Sequence, residues 1–494
     1  MKGNSKKISG IPNPPKIAVK ISNAVFIIGI IYSVLLTMYG IYKIVDPSKD
    51  ETRLMFYFAY ILIAVITATL FYLGLRMLSD KLKMNVSLLI ITSSISIYTI
   101  EFFLEFQRIK EIKPRATIAE EQGIPFDTRT KMEVLVSLNN NGIETYPNVY
   151  PSLFRTTNGL NGSEGNIYPL GGISNTKAIL NNELGFFPII NTDKYGFNNP
   201  KGLYKNSKID MVLIGDSFTE GYSVQSDKNI AEVIRKTGFN IVNLGRGGNG
   251  PLTELAILKE YAEPLRPRIV LWLYVVNDYG DLHYEMNSSI LMSYLNLNNF
   301  SQQLISKQDE IDNLLKSYVS DEQETFALNW KPKKERVDYL KMFVLTNFRI
   351  MLKLIIIKLN IMLEEPTMTP VKKYVSSTPI LFKQILSKAS DMVAKWEGML
   401  YFVYLPTFDR YTTGSKDFLK IEHEFRNEII NFMKDNDVPI IDMHKEVFSK
   451  HPNVQSLFPF TLGGHYNDEG YRLVAEAIVK RINSDGFVSS HPTK

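Results

Sequence analysis

Three apolar runs crowd the first hundred residues, and they constrain this chain more than any other feature. Ile21–Tyr42 and Leu54–Leu75 are each 22 residues long without a charged side chain, and Met84–Ile100 adds a further 17. About 20 apolar residues in a helix cross the hydrocarbon core of a bilayer, where every backbone polar group must be satisfied within the segment. The third run is weaker, because it carries several Ser and Thr. The alternative is a set of buried helices in a water-soluble protein. Two long uncharged runs in close succession make that the lesser reading. The first run also exceeds a signal-peptide core and is followed at once by a second, so a cleaved leader is not expected. Spans over 21–42, 54–75 and 84–104 therefore define an N-terminal membrane region, residues 1–106.

Sidedness follows from Lys and Arg in the connecting segments. The leading tail holds Lys2, Lys6, Lys7, Lys16 and Lys20 with no acid, and the second loop holds Arg76, Lys81 and Lys83. The first loop holds Lys43, Lys49 and Arg53, and the exit from the third run holds Arg108, Lys110, Lys113 and Arg115. Eight positives oppose seven. Because the first helix usually dominates, the expectation is a cytoplasmic tail, a multi-pass protein and an extracytoplasmic remainder.

Composition narrows what that remainder can do. Of the 494 residues 22% are charged, with a net charge of +5, which excludes a wholly disordered chain and offers no concentrated basic face for nucleic acid. With no Cys there is no disulfide framework, thiolate metal site or cysteine nucleophile. The six His are scattered without ligand spacing, so neither a metal nor another cofactor is expected.

Residues 107–208 are rich in Asn, Gly, Pro and Tyr and read as a linker or subdomain of turns and short strands. From residue 209 the rhythm changes. Ile209–Ile214, Phe239–Leu244, Arg268–Val276, Leu400–Leu405 and Val438–Ile441 read as near-continuous apolar strands. They alternate with helical stretches at Asp227–Thr237, Pro251–Leu265, Asp417–Lys434 and Glu469–Ile482. The pattern predicts an α/β fold, a three-layer doubly wound parallel sheet over 209–494, preceded by the transmembrane helices. A helical insertion over 283–398 contains Val337–Leu363, apolar but carrying Lys341, Arg349, Lys353 and Lys358. That stretch reads as a helix packed on the sheet, or as an interfacial helix.

In such sheets ligands bind beyond the carboxyl ends of the strands. Four segments there carry reactive groups. Gly215-Asp216-Ser217-Phe218-Thr219-Glu220-Gly221 places a hydroxyl directly after the first strand, although Asp and Ser are also ordinary helix caps. Gly245-Arg246-Gly247-Gly248-Asn249-Gly250 offers uncovered backbone N–H groups to an oxyanion. The same glycines fit a dinucleotide fingerprint with Asp278 as ribose ligand, a rival that leaves Ser217 and His465 without a role. Asn277 follows the third strand, and His465 precedes the last helix as a candidate general base.

This set, led by the GDSFTEG block, resembles the SGNH (GDSL-like) hydrolase superfamily over roughly residues 209–483. The resemblance implies Ser217 as nucleophile and first oxyanion donor, Gly248 (or Gly247) and Asn277 as further donors, and His465 as base. Two positions depart from the pattern. Val275 stands where the family has Gly, and Leu462 and Gly463 stand where its acid would be. An acid orienting His465 must come from elsewhere, with Asp468, Asp442 and Asp278 as unranked candidates, or the pair acts as a dyad. The implied activity is that of a serine esterase or O-acyltransferase working through an acyl-serine. Its implied partners are an acylated carbohydrate, the lipid bilayer and a membrane partner in glycan modification. A bilayer lipase, or a catalytically silent module that keeps the fold for glycan binding or assembly, are the other readings.

Overall fold

The computed structural model describes residues 15–45, 52–111, 115–204, 208–329, 345, 370–412 and 416–489. These fall into two compact units, one holding all described residues up to Glu111 and the other holding 115–329 and 370–489.

The first unit is built on three helices, α1 (Lys16–Val45), α2 (Thr52–Met77) and α3 (Asp80–Glu111). Each contains a stretch long and apolar enough to cross a membrane, Lys16–Tyr42, Tyr57–Met77 and Asp80–Leu104. Glycines let α1 and α2 approach closely. A Cβ on Gly29 would lie 2.6 Å from the Phe71 ring, and one on Gly74 would lie 2.4 Å from the Phe26 ring. Small residues at a helix contact are what van der Waals packing requires where lipid removes the hydrophobic drive for association. Of the hydroxyls that weaken the third run, Thr92, Ser96 and Thr99 each donate to a carbonyl one turn earlier, and Ser87 donates to the Ser22 carbonyl of α1. The outward side chains are apolar, among them Ile28, Leu62 and Leu88, each more than 60% exposed.

In the second unit, short helices α4 (Arg115–Glu121) and α5 (Lys131–Asn140) precede strands β1 (Thr145–Pro147), β2 (Leu160–Gly162), β3 (Gly165–Ile167), β4 (Lys177–Ile179) and β5 (Ile189–Asn191). The main sheet follows, with β6 (Met211–Ile214), β7 (Ile241–Asn243), β8 (Ile269–Tyr274), β9 (Met399–Tyr404) and β10 (Ile440–Asp442). All five are parallel, in the order β10-β9-β8-β6-β7. Successive side chains on a strand face opposite ways, so an apolar strand must feed two cores. Val212, Ile214, Val270 and Trp272 enter one cluster, and Met211, Leu213, Ile269 and Leu271 enter the other. The first cluster is completed by Leu252 and Leu255 of α8 (Pro251–Ile257) and by Phe382 and Ile385 of the helix Pro370–Ala394. The second is completed by Ile230 and Ile234 of α7 (Ile230–Arg235) and by Val474 and Ile478 of the helix Asp468–Ser484. Helices on both faces of a parallel sheet make it doubly wound.

The expectation for residues 107–208 is a linker or a subdomain of turns and short strands; β1–β5 lie there, and Phe154, Tyr168, Leu170 and Phe197 are buried in the first core cluster of the same unit. A fully buried pair, Arg246 with Glu220 at 3.1 Å, fastens this segment to the strand-end loops, because Arg246 also donates to Asn148 Oδ1 at 2.7 Å and to the Gly196 carbonyl. The basic apolar stretch Val337–Leu363 lies outside the described residues. The described parts of the insertion, with Leu291, Ile311 and Leu315, cover the first face of the sheet.

Candidate active site

The chain leaves β6, forms β7 on one side, then returns to form β8 on the other. The reversal opens a crevice at the carboxyl ends of β6 and β8, the place where open parallel sheets bind ligands. Ser217 follows β6 and Asn277 follows β8, so both border it.

Asp216 caps the helix behind it, accepting the Phe218 N–H at 2.9 Å. The capping reading of this motif therefore holds for Asp216, whose Oδ2 also accepts the Ser217 hydroxyl at 3.3 Å. The helix is a single turn, α6 (Ser217–Glu220), closed by Gly221 at φ +82°. Its dipole is correspondingly slight, and the local electrostatics come from hydrogen-bond donors. The Ser217 N–H meets no protein acceptor among the described residues.

The glycine loop forms a turn closed by the Asn249 N–H on the Arg246 carbonyl at 3.1 Å. Gly248, at φ +72°, has the left-handed backbone of the third residue of a type II turn. The Gly247 N–H is occupied by Glu220 Oε2 at 3.0 Å, whereas that of Gly248 meets no protein acceptor among the described residues. The open alternative between the two glycines thus resolves to Gly248 as the available donor. The dinucleotide reading fails on the same loop. The buried carboxylate of Glu285 accepts the Gly250 and Leu252 N–H groups at 2.7 and 2.9 Å, filling the place a pyrophosphate would need. Asp278, the supposed ribose ligand, is fully buried and turned back on the Val275 N–H.

His465 lies on the other side of the crevice. Its Nε2 is 2.7 Å from Ser217 Oγ. Its ring packs between Phe218 and Tyr222, with centroids 4.6 and 4.5 Å away. Tyr466 fixes the following backbone by donating to the Pro406 carbonyl, and Asn467 caps the last helix through the Gly470 N–H.

The acid at this imidazole is Glu183, from the 115–204 segment. Both its oxygens stand 3.1 Å from His465 Nδ1, and Oε2 also accepts the His465 backbone N–H at 2.9 Å. Burial alone would raise the Glu183 carboxyl. Hydrogen bonds and charge from His465, helped by Arg115, outweigh it and hold the group below its ordinary value. A carboxylate so placed accepts from Nδ1 and holds the ring with Nε2 facing the serine. Gly464 is required here: at φ +102° its Cβ would fall 2.7 Å from both Arg115 Nη2 and Glu183 Oε2.

None of the three proposed acids reaches the ring. Asp442 is paired with Arg426, Asp468 is exposed at the start of the last helix, and Asp278 is buried beneath the loop. Glu183 carries no motif of its own. The one hint in the sequence is negative, the lack of an acid at Leu462 and Gly463.

Asn277 borders the crevice, but its amide is engaged, donating to Asp216 Oδ2 at 3.0 Å and to Asp281 Oδ2 at 3.3 Å. Burial pushes the Asp216 and Asp281 carboxyls up. Among the described residues no cluster of His, Asp and Glu is arranged to hold a metal.

No family model and no curated protein matches this sequence. Among solved structures, it is similar to a putative lipolytic protein of the G-D-S-L family from Desulfitobacterium hafniense DCB-2 (13% identity, 55% of this chain and 98% of that one, TM-score 0.30). It is also similar to the acetyl xylan esterase AlAXEase (11%, 55% and 98%, 0.30) and to a lipase/acylhydrolase from Enterococcus faecalis (14%, 57% and 98%, 0.30). The chain's own geometry, a five-stranded parallel sheet whose switch point presents a serine to an imidazole, gives the second unit an SGNH-hydrolase-like fold.

Proposed function

We propose that this protein is a membrane-anchored serine esterase or O-acyltransferase of the SGNH type, acting through an acyl-serine. The observation that carries the reading is the relay Glu183–His465–Ser217, with 3.1 Å on one side of the imidazole and 2.7 Å on the other. His465 Nε2 takes the Ser217 proton as Oγ attacks the ester carbonyl. The resulting oxyanion receives the N–H groups of Ser217 and Gly248, and the Asn277 amide when it releases one carboxylate. The imidazolium then gives its proton to the departing alkoxide, leaving the acyl-serine. A water or sugar hydroxyl, deprotonated by the same Nε2, attacks that ester and restores Ser217. Preorganised donors of this kind contribute about 3–4 kcal/mol each.

The three apolar helices support anchoring in a bilayer, and the Lys and Arg count supports an extracytoplasmic catalytic unit. The acylated glycan rests on analogy with membrane-linked members of the superfamily. The silent-module reading draws on one feature, the engagement of both Asn277 amide hydrogens by carboxylates. Fluorophosphonate labelling of the detergent-solubilised full chain separates the two. Labelling that Ser217→Ala abolishes, together with turnover of p-nitrophenyl acetate, is the expected result. A folded wild-type chain that neither labels nor turns over would establish the silent module. Acetyl transfer to xylan-type or other polysaccharide acceptors, against release of free acetate, then distinguishes transferase from hydrolase.

A further inference from the structure

The oxyanion side of the crevice is held by a residue outside every motif. Arg155 follows the turn Pro151–Phe154, and its side chain is only 12% exposed. Its Nη2 donates to the Gly248 carbonyl, and its Nη1 donates to Asp281 Oδ1 at 3.0 Å. The other oxygen of Asp281 accepts the Asn277 amide at 3.3 Å. Nη2 also lies 3.9 Å from Oε1 of the fully buried Glu285, whose carboxylate holds the Gly250 N–H at the end of the same loop. Asp278, Asp281 and Glu285 project from α9 (Asp278–Glu285) at a spacing of three and four, which is one helix face. Among the described residues Arg155 is the only cation paired with Asp281 or Glu285.

We propose that Arg155 is a positioning residue for the oxyanion hole, fixing Gly248 through its carbonyl and Asn277 through Asp281, and offsetting the acidic face behind them. This rests on the acyl-serine reading above. The two peptides flanking the Gly248 N–H are each anchored, the 246–247 peptide by Glu220 and the 248–249 peptide by Arg155. The N–H between them is thereby aimed without rearrangement. Uncompensated carboxylates at Asp281 and Glu285 would repel the charge that develops on the substrate oxygen, and a guanidinium can bond two of these partners at once where an ammonium offers a single point charge.

The test is steady-state turnover of p-nitrophenyl acetate by the full chain in detergent, with kcat expressed per fluorophosphonate-titrated site. Arg155→Met combined with Asp281→Asn removes the cation together with the carboxylate it bonds at 3.0 Å, while Glu285 keeps its bonds from the Gly250 and Leu252 N–H groups and the Thr253 hydroxyl. The expected result is a fall in kcat per titrated site of about 10²-fold with KM unchanged, the scale of losing an oxyanion donor. Arg155→Lys should recover folded yield but only part of kcat. If the wild type turns over and the double variant keeps its kcat per site, Arg155 is merely structural and the proposal is overturned with the serine reading intact. A rise in KM at constant kcat would overturn it in favour of a substrate-binding role. A wild type that neither labels nor turns over would remove both.

Discussion

The two units of this chain both use glycine to bring groups close, but to different ends. In the helical unit, Gly29 and Gly74 let the rings of Phe71 and Phe26 lie against a neighbouring backbone, and large apolar side chains face outward. In the sheet unit, Gly248 and Gly464 let backbone approach polar groups of the crevice, while the apolar side chains are enclosed. Between apolar helices of membrane-spanning length, a close approach supplies dispersion contacts. At the switch point of a sheet it supplies positioned hydrogen-bond donors instead. Stability in the first unit should therefore respond to the size of residues at contacts, and activity in the second to single polar atoms.

The largest effect that tests this contrast is at Glu183. Glu183→Gln keeps the shape of the site but removes the charge facing His465 Nδ1 and permits the wrong tautomer. kcat on p-nitrophenyl acetate should fall about 10³–10⁴-fold with little change in melting temperature. Asp468→Asn should leave kcat unaltered. The reverse pattern would mean that another acid serves the imidazole in solution.

A second, smaller effect belongs to the helical unit. Gly29→Leu places a side chain where the Phe71 ring now sits, and overpacking of that kind costs about 1–3 kcal/mol. It should appear as a lower unfolding temperature in micelles, with kcat per phosphonate-titrated site unchanged. A variant as stable as the wild type would show that α1 and α2 do not depend on this contact.

The smallest effect concerns a cation in the sheet unit. Lys131, beside Asn181 and Glu183 in a cavity of about 550 Å³, has its amine pushed down to about 8 by burial, partly opposed by Glu220. Between that value and the ordinary lysine value of 10.5 the unfolded chain binds more protons than the folded one, so wild-type stability should rise with pH across this window. Lys131→Met should be the more stable protein at pH 7, by about 1–2 kcal/mol after allowance for partial solvent access, with the gap closing towards pH 10.5. Denaturant melts at both pH values read this directly. A gap that widens with pH would contradict the sign.

The crevice shows how far local pattern carries. Ser217, Asn277 and His465 are legible because each sits where an apolar strand ends or a helix begins, and strand-end residues of a parallel sheet share one edge. Spacing from Asn243 points to Gly248 over Gly247, and the Glu220 carboxylate on the Gly247 N–H agrees with that choice. Residues 107–208 read only as a linker or a subdomain of turns and short strands, because strands three residues long are too short for alternation to register. Their burial in the main core, and with it the roles of Glu183 and Arg155, left no local trace.

The sequence by itself determined the three membrane-length helices and the sheet strands, and it placed a hydroxyl, an amide and an imidazole at strand and helix ends. Each of these is written in the period, length or termination of a continuous stretch of chain. Only the tertiary structure decided which carboxylate faces His465 and which cation braces the oxyanion loop. Glu183 meets a ring 282 positions away and Arg155 meets a carbonyl 93 positions away. Such meetings depend on how separate elements pack together, and a carboxylate or guanidinium in an irregular loop carries no periodicity to reveal its partner.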